Sequence, residues 1–242
     1  MSNGARQAEY LRAIGVEVWR RRGMAPPPPV VPAAAPAAAV GVAAPDATPP
    51  GDDWVALQAE VAACTRCELH RTRTQTVFGV GHREADWLII GEAPGAEEDR
   101  RGEPFVGRAG QLLDNMLAAI GLDRTTAYIA NILKCRPPDN RDPQAGEVAA
   151  CEPYLQRQIA LIRPRLILAV GRIAAQNLLK TDLPLARLRG RIHHYGPQRI
   201  PLIVTYHPAY LLRTPADKRK AWEDLQLAVR VFRDGDVVGG GQ

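Results

Sequence analysis

Short apolar runs alternate with longer stretches of helical period through the middle and C-terminal parts of the chain. Residues 86–90 (DWLII), 127–133 (AYIANIL), 165–170 (RLILAV) and 200–205 (IPLIVT) are continuous apolar segments bounded by turn residues, and read as buried strands. Apolar positions recur at helical spacing between them. A helix is predicted over 54–63, with Val55, Leu57, Val61 and Ala62 available for packing and Asp53 as its cap. Another runs over 107–120, with Leu112, Leu113, Leu117 and Ile120 on one face and Gly121 as its stop. Further helices are predicted over 144–161, following Asp142-Pro143, over 171–180, and over 215–233 with Trp222, Leu225, Val229 and Phe232 inward. Strands alternating with helices give an α/β fold: three layers, α/β/α, around a central parallel four-stranded sheet. Ligands in such folds bind beyond the carboxyl ends of the strands.

The flanks follow other patterns. Residues 5–22 place Leu11, Ile14, Val18 and Trp19 at three- and four-residue steps, with Arg12, Arg20, Arg21 and Arg22 on other faces. This is an N-terminal helix that packs loosely or docks a partner. Residues 25–51 are almost all Pro, Ala, Val and Gly, a composition with no face to bury, and are expected to form a disordered linker. The organisation expected is a helical segment at 1–24, a linker at 25–51, a globular domain at 52–234 and a flexible tail at 235–242.

Composition narrows the class. The chain has 242 residues, 24% of them charged, and a net charge of +5. A mildly basic body suits a nucleic-acid partner without requiring one. No apolar run is long enough to span a bilayer, so no membrane role is expected. Residues 1–10 lack a signal pattern, which points to a cytoplasmic location. In that compartment Cys64, Cys67, Cys135 and Cys151 are metal ligands or free thiols rather than disulfides.

Three segments at strand ends carry the candidate chemistry: GEAPGAEEDRRGEPFVGRAGQLLDNML (91–117), YIANILKCRPP (128–138) and YHPAYLLR (206–213). Phe105 stands in a Gly/Pro loop, where an aromatic face either stacks on a flat base or anchors the loop to the core. Asn131 interrupts an apolar strand. A buried amide needs partners, and its paired donor and acceptor match the O4 and N3–H edge of uracil. His207 follows a strand and precedes Pro208. It either caps the next turn or offers an N–H to a developing anion. Glu92, Glu97, Glu98 and Asp99 crowd one loop, as water-orienting or metal-binding groups or as a solvated acidic stretch. A P-loop and a dinucleotide fingerprint are both absent. One tight Cys-x-x-Cys pair with two distant cysteines leaves zinc and an iron–sulphur cluster both open.

These segments and the cysteine frame resemble the family 4, iron–sulphur uracil-DNA glycosylases over roughly residues 52–234. The first segment begins GEAPG, as that family's motif does. The best-known cluster-free family carries a catalytic Asp where this chain has Ala93. The resemblance implies that Gly91, Glu92 and Ala93 line a uracil site, that Phe105 stacks on the base, that Asn131 reads its edge and that His207 stabilises the leaving anion. It implies that Glu98 excludes the thymine methyl and that the four cysteines hold a [4Fe–4S] cluster. Glu92, Glu98 and His207 are the candidate catalytic residues. A branch that traps its product covalently has a basic, His-bearing insert after the Asn strand, whereas KCRPPDNRDP here argues for ordinary turnover. The expected partner is uracil-containing DNA, single- or double-stranded, bound by a monomer. Arg136 and Arg213, with Lys134 and Arg141, are candidates for phosphate contacts, and Leu211 or Leu212 for a wedge into the base stack. Two other classes remain open on the residues alone: a non-catalytic, metal-stabilised nucleic-acid-binding module, and an iron–sulphur redox protein.

Overall fold

The computed structural model of the protein describes residues 50–239. The helix expected at 5–22, the linker as far as residue 49 and the last three residues lie outside the described residues. The chain forms α1 (Pro50–Ala62), β1 (Val80–Gly81), β2 (Trp87–Gly91), α2 (Ala96–Arg101), α3 (Arg108–Ala119), β3 (Ala127–Asn131) and α4 (Ala145–Ile162). There follow β4 (Leu166–Val170), α5 (Arg172–Leu179), α6 (Leu185–Leu188), β5 (Ile192–Tyr195), β6 (Ile200–Thr205), α7 (Pro208–Arg213) and α8 (Lys218–Gly239). Helix α1 starts ahead of the cap expected at Asp53. Proline suits a first turn because the N–H it lacks would have no helical partner there. Helix α8 continues to Gly239, into residues expected to be tail.

The sheet has the order β1-β3-β2-β4-β6-β5. Its four central strands are parallel and are the four read from the sequence. Two antiparallel edge strands extend it, making a mixed six-stranded sheet. They left little trace in the sequence: β1 has two residues, and β5 reads IHHY, half-buried and exposed in alternation. Every residue of β2, β3 and β4 is buried, as expected for strands covered on both faces.

The pleat divides the apolar residues between two cores. Leu88, Ile90, Ile167, Ala169, Leu202 and Val204 face α1, α4 and α5. Trp87, Ile89, Leu166, Leu168, Val170 and Ile203 face α3 and α8. A one-residue slip would exchange the two sets, so both cores together fix the register. From β2 the chain runs to β3 on one side, while β4 lies on the other. That reversal opens a crevice at the carboxyl ends of β2 and β4.

Ile89 is fully buried in the central strand. Ile89→Ala is expected to cost about 2–5 kcal/mol of stability, read as a lower denaturant midpoint. An unchanged midpoint would contradict this assignment of the core.

Candidate active site

A cleft of about 500 Å³ opens over the carboxyl ends of the parallel strands. Glu92, Ala93, Glu98, Phe105, Asn131 and His207, drawn from the three segments, all line it. Arg213 also lines it, on the exposed end of α7.

Gly91 ends β2 beside Asn131, which ends β3. A Cβ at Gly91 would lie 2.5 Å from both Asn131 Oδ1 and Phe105 Cζ, so the missing side chain lets amide and ring close over the strand end. Asn131 is only 2% exposed, and its Oδ1 has no hydrogen-bond partner. A buried acceptor left unpaired costs about 1–3 kcal/mol. Its backbone carbonyl is occupied, accepting from Lys134 Nζ at 2.9 Å.

Phe105 is buried and adopts a left-handed backbone, φ 55°. Such a conformation costs a bulky residue of order 1–3 kcal/mol and persists only where its surroundings enforce it. Its ring lies 5.6 Å from that of His207, at 31° between planes. The rings form one wall beside the Asn131 amide.

His207 caps α7: its Nδ1 accepts the Ala209 N–H at 3.2 Å. Capping and function are therefore compatible, because an accepting Nδ1 puts the proton of the neutral ring on Nε2. Burial, together with the Arg213 charge, pushes the imidazole down to about 4, against a smaller opposite effect of Glu98. The ring is thus a neutral donor near pH 7. At the end of β4, Gly171 (φ 97°) admits it: a Cβ there would come within 3.0 Å of His207 Cβ.

The four acids have four different surroundings. Glu97 is exposed and pairs with Arg100 at 2.5 Å. Asp99 is buried, with both oxygens accepting from the Thr74 N–H at 3.0 Å. Glu98 accepts from Gly95 N–H at 3.1 Å through one oxygen, and from Val106 and Gly107 N–H at 2.9 and 3.1 Å through the other. Its carboxylate thus ties the turn before α2 to the loop behind Phe105. Only Glu92 faces the cleft without a side-chain hydrogen bond among the described residues. Burial, reinforced by Asp142 and opposed by Arg172, raises its carboxyl to about 7. Ala93 offers no carboxylate of its own.

Two expectations about DNA contacts are corrected. Leu211 is 1% exposed and packs in the core beneath α7, so it cannot serve as a wedge; its neighbour Leu212 is 38% exposed. Lys134 is 1% exposed and cannot reach a phosphate. Arg141 is engaged by Glu147 through both terminal nitrogens, at 2.9 and 2.5 Å. Arg136 donates to Asn140 Oδ1 at 2.8 Å and stays partly exposed. Asn140 and Asp142 line the cleft but were not singled out from the sequence. Their signal, PPDNRDP, reads as turn chemistry. Asp139 and Asn140 do adopt consecutive left-handed conformations there.

The four cysteines line one separate, small cavity beside α1 and α4, of about 10 Å³ against about 500 Å³ for the cleft. Among the described residues, no three His, Cys, Asp or Glu side chains are grouped to hold a single metal ion. All four thiols line that one cavity, a donor set whose chemistry suits an iron–sulphur cluster. Three N–H groups point at sulphurs: Arg66 N to Cys64 at 3.5 Å, Arg73 Nη1 to Cys135 at 3.1 Å and Lys134 N to Cys151 at 3.2 Å. Such donors suit thiolates. Burial pushes the Cys151 thiol up to about 11, with the Lys134 charge working the other way.

Known proteins are similar to this chain in sequence. The profile described as "Uracil DNA glycosylase superfamily" matches residues 78–226. The type-4 uracil-DNA glycosylase of Archaeoglobus fulgidus is 47% identical over 174 residues, covering 69% of this chain and 87% of that protein. Those of Pyrobaculum aerophilum and Sulfurisphaera tokodaii are 42% and 40% identical, covering 68% and 70% of this chain and 87% and 80% of theirs. No described helix is long and apolar enough to cross a membrane. With a cleft at the switch point of its sheet and this degree of identity, the chain belongs to the uracil-DNA glycosylase superfamily, in its type-4 branch.

Proposed function

We propose that the protein is a DNA-repair glycosylase that takes uracil flipped from DNA, hydrolyses its N-glycosidic bond and leaves an abasic site. One observation carries the reading: a buried Asn131 whose Oδ1 has no partner, in a cleft walled by Phe105 and His207. A side-chain amide accepts from N3–H of uracil and donates to O4, whereas cytosine presents the reverse pattern. The base stacks on Phe105, against Gly91, Glu92 and Ala93. Glu98 acts by holding the loop that carries Phe105. Arg213 and Arg136 contact phosphates, and Leu212 fills the space the base vacates.

Cleavage breaks the bond between C1′ of the sugar and N1 of the base. The electron pair passes into the uracil ring, and charge accumulates on O2. The neutral Nε2–H of His207 donates to that oxygen without delivering a proton beforehand. Water adds to C1′. Glu92 orients it and takes its proton, since its carboxyl, near 7, has a useful ionised fraction at working pH.

Cys64, Cys67, Cys135 and Cys151 would hold a [4Fe–4S] cluster, supported by the four thiols lining one cavity and the N–H groups aimed at them. When bound, it would supply a covalent tie joining the segments after α1 and after β3 to α4. The glycosylase domain is residues 52–234, acting as a monomer on single- or double-stranded DNA in the cytoplasm. A non-catalytic binding module or a redox protein would leave the orphaned amide and the imidazole donor unused.

Asn131→Ala is expected to cut excision of uracil at least about hundredfold while iron content and melting temperature stay near wild type. Wild-type excision by that variant sinks the reading of the cleft. For the unsubstituted protein kcat/KM should rise with pH to a plateau above about 7, as Glu92 loses its proton, with no step from His207 between about pH 5 and 8. Glu92→Gln should remove the rise, and a profile that keeps it assigns the ionisation to another group. Cys135→Ala should lose iron and the brown colour and melt about 5 °C lower or more. Full iron content in this variant contradicts the ligand set.

A further inference from the structure

Phe105 is gripped from behind by Arg124, which lies between α3 and β3. The guanidinium donates from Nη1 to the Pro104 carbonyl at 2.9 Å and from Nη2 to the Phe105 carbonyl. Its Nε donates to Asp114 Oδ1 at 2.8 Å, which anchors the arginine to α3. One planar fork thus holds two successive carbonyls at the residue whose φ is 55°. Gly110 shapes the other side: a Cβ there would lie 1.7 Å from Phe105 O, so the carbonyl fits against α3 only because no side chain intervenes. A left-handed, non-glycine residue returns to ordinary φ once released. Turning that backbone would swing the Phe105 ring away from Gly91, which it now approaches too closely to admit a Cβ.

We infer that Arg124 is a positioning residue for base stacking: it sets the face of the ring on which uracil lies and touches neither base nor sugar. The inference rests on Phe105 being the platform for uracil. Lysine is no substitute, because a single ammonium on a flexible stem cannot fork two carbonyls and a carboxylate in one plane.

The test is a double-mutant cycle on the iron-containing protein. Single-turnover excision and inhibition by free uracil are measured for wild type, Arg124→Met, Phe105→Ala and the double variant, with melting temperature alongside. Phe105→Ala should weaken both readouts about tenfold or more. Arg124→Met should do nearly the same, yet change either readout less than about twofold when Phe105 is already Ala. Arg124→Lys should fall between wild type and Arg124→Met, and completes the cycle if the Met variant does not fold. Equal losses in both backgrounds would make Arg124 a general structural brace and overturn the inference, leaving the stacking role of Phe105 intact. A Phe105→Ala variant as active as wild type would instead remove the platform, and the inference with it.

Discussion

The site depends on one amide oxygen that the protein buries and leaves unpaired. Asn131 ends a strand that is otherwise apolar, and the fold leaves its Oδ1 without a partner. A neighbouring protein N–H would satisfy it at once, so the surroundings must keep one away. Gly91 does so by having no side chain, which lets the Phe105 ring close over the strand end. Lys134 occupies the backbone carbonyl of the same residue and holds its peptide in place. An acceptor kept unsatisfied in this way binds a matching donor more strongly than a solvated one would, since the desolvation cost is already met in the folded protein.

Holding such a site open takes strain and bracing elsewhere. Phe105 sits in a left-handed conformation, and the loop carrying it is tied by Glu98 on one side and Arg124 on the other. His207 is held by its own cap, which also decides which nitrogen carries the proton. Lys134 joins the two centres: its Nζ bonds Asn131 while its backbone N–H points at Cys151. The cysteine cavity and the cleft are thus mechanically continuous.

Much of this was legible in the sequence because it depends on local pattern. The four parallel strands are unbroken apolar runs, and Phe105, Asn131 and His207 stand out as residues foreign to their segments. The rest depends on three-dimensional placement. Four acids within eight residues look alike until the loop is folded; then one is solvated, two bind backbone N–H groups and only Glu92 lines the cleft without a side-chain hydrogen bond among the described residues. Leu211 and Leu212 are neighbours of the same type, and only the orientation of α7 separates a core residue from an exposed one. Lys134 resembles any basic residue near a binding loop until its burial is known. Arg124 gave no signal at all, because it acts on backbone carbonyls, which have no residue type to read.

The central claim is that this cleft recognises uracil and releases it from DNA. It is tested most directly with oligonucleotides carrying a single uracil, thymine or cytosine at one position, incubated with the protein and then treated with alkali. Strand breaks at uracil alone, in the single- and double-stranded forms, are the predicted result. An iron-containing, folded protein that leaves the uracil oligonucleotide uncut, or that cuts at thymine and cytosine equally well, would contradict it.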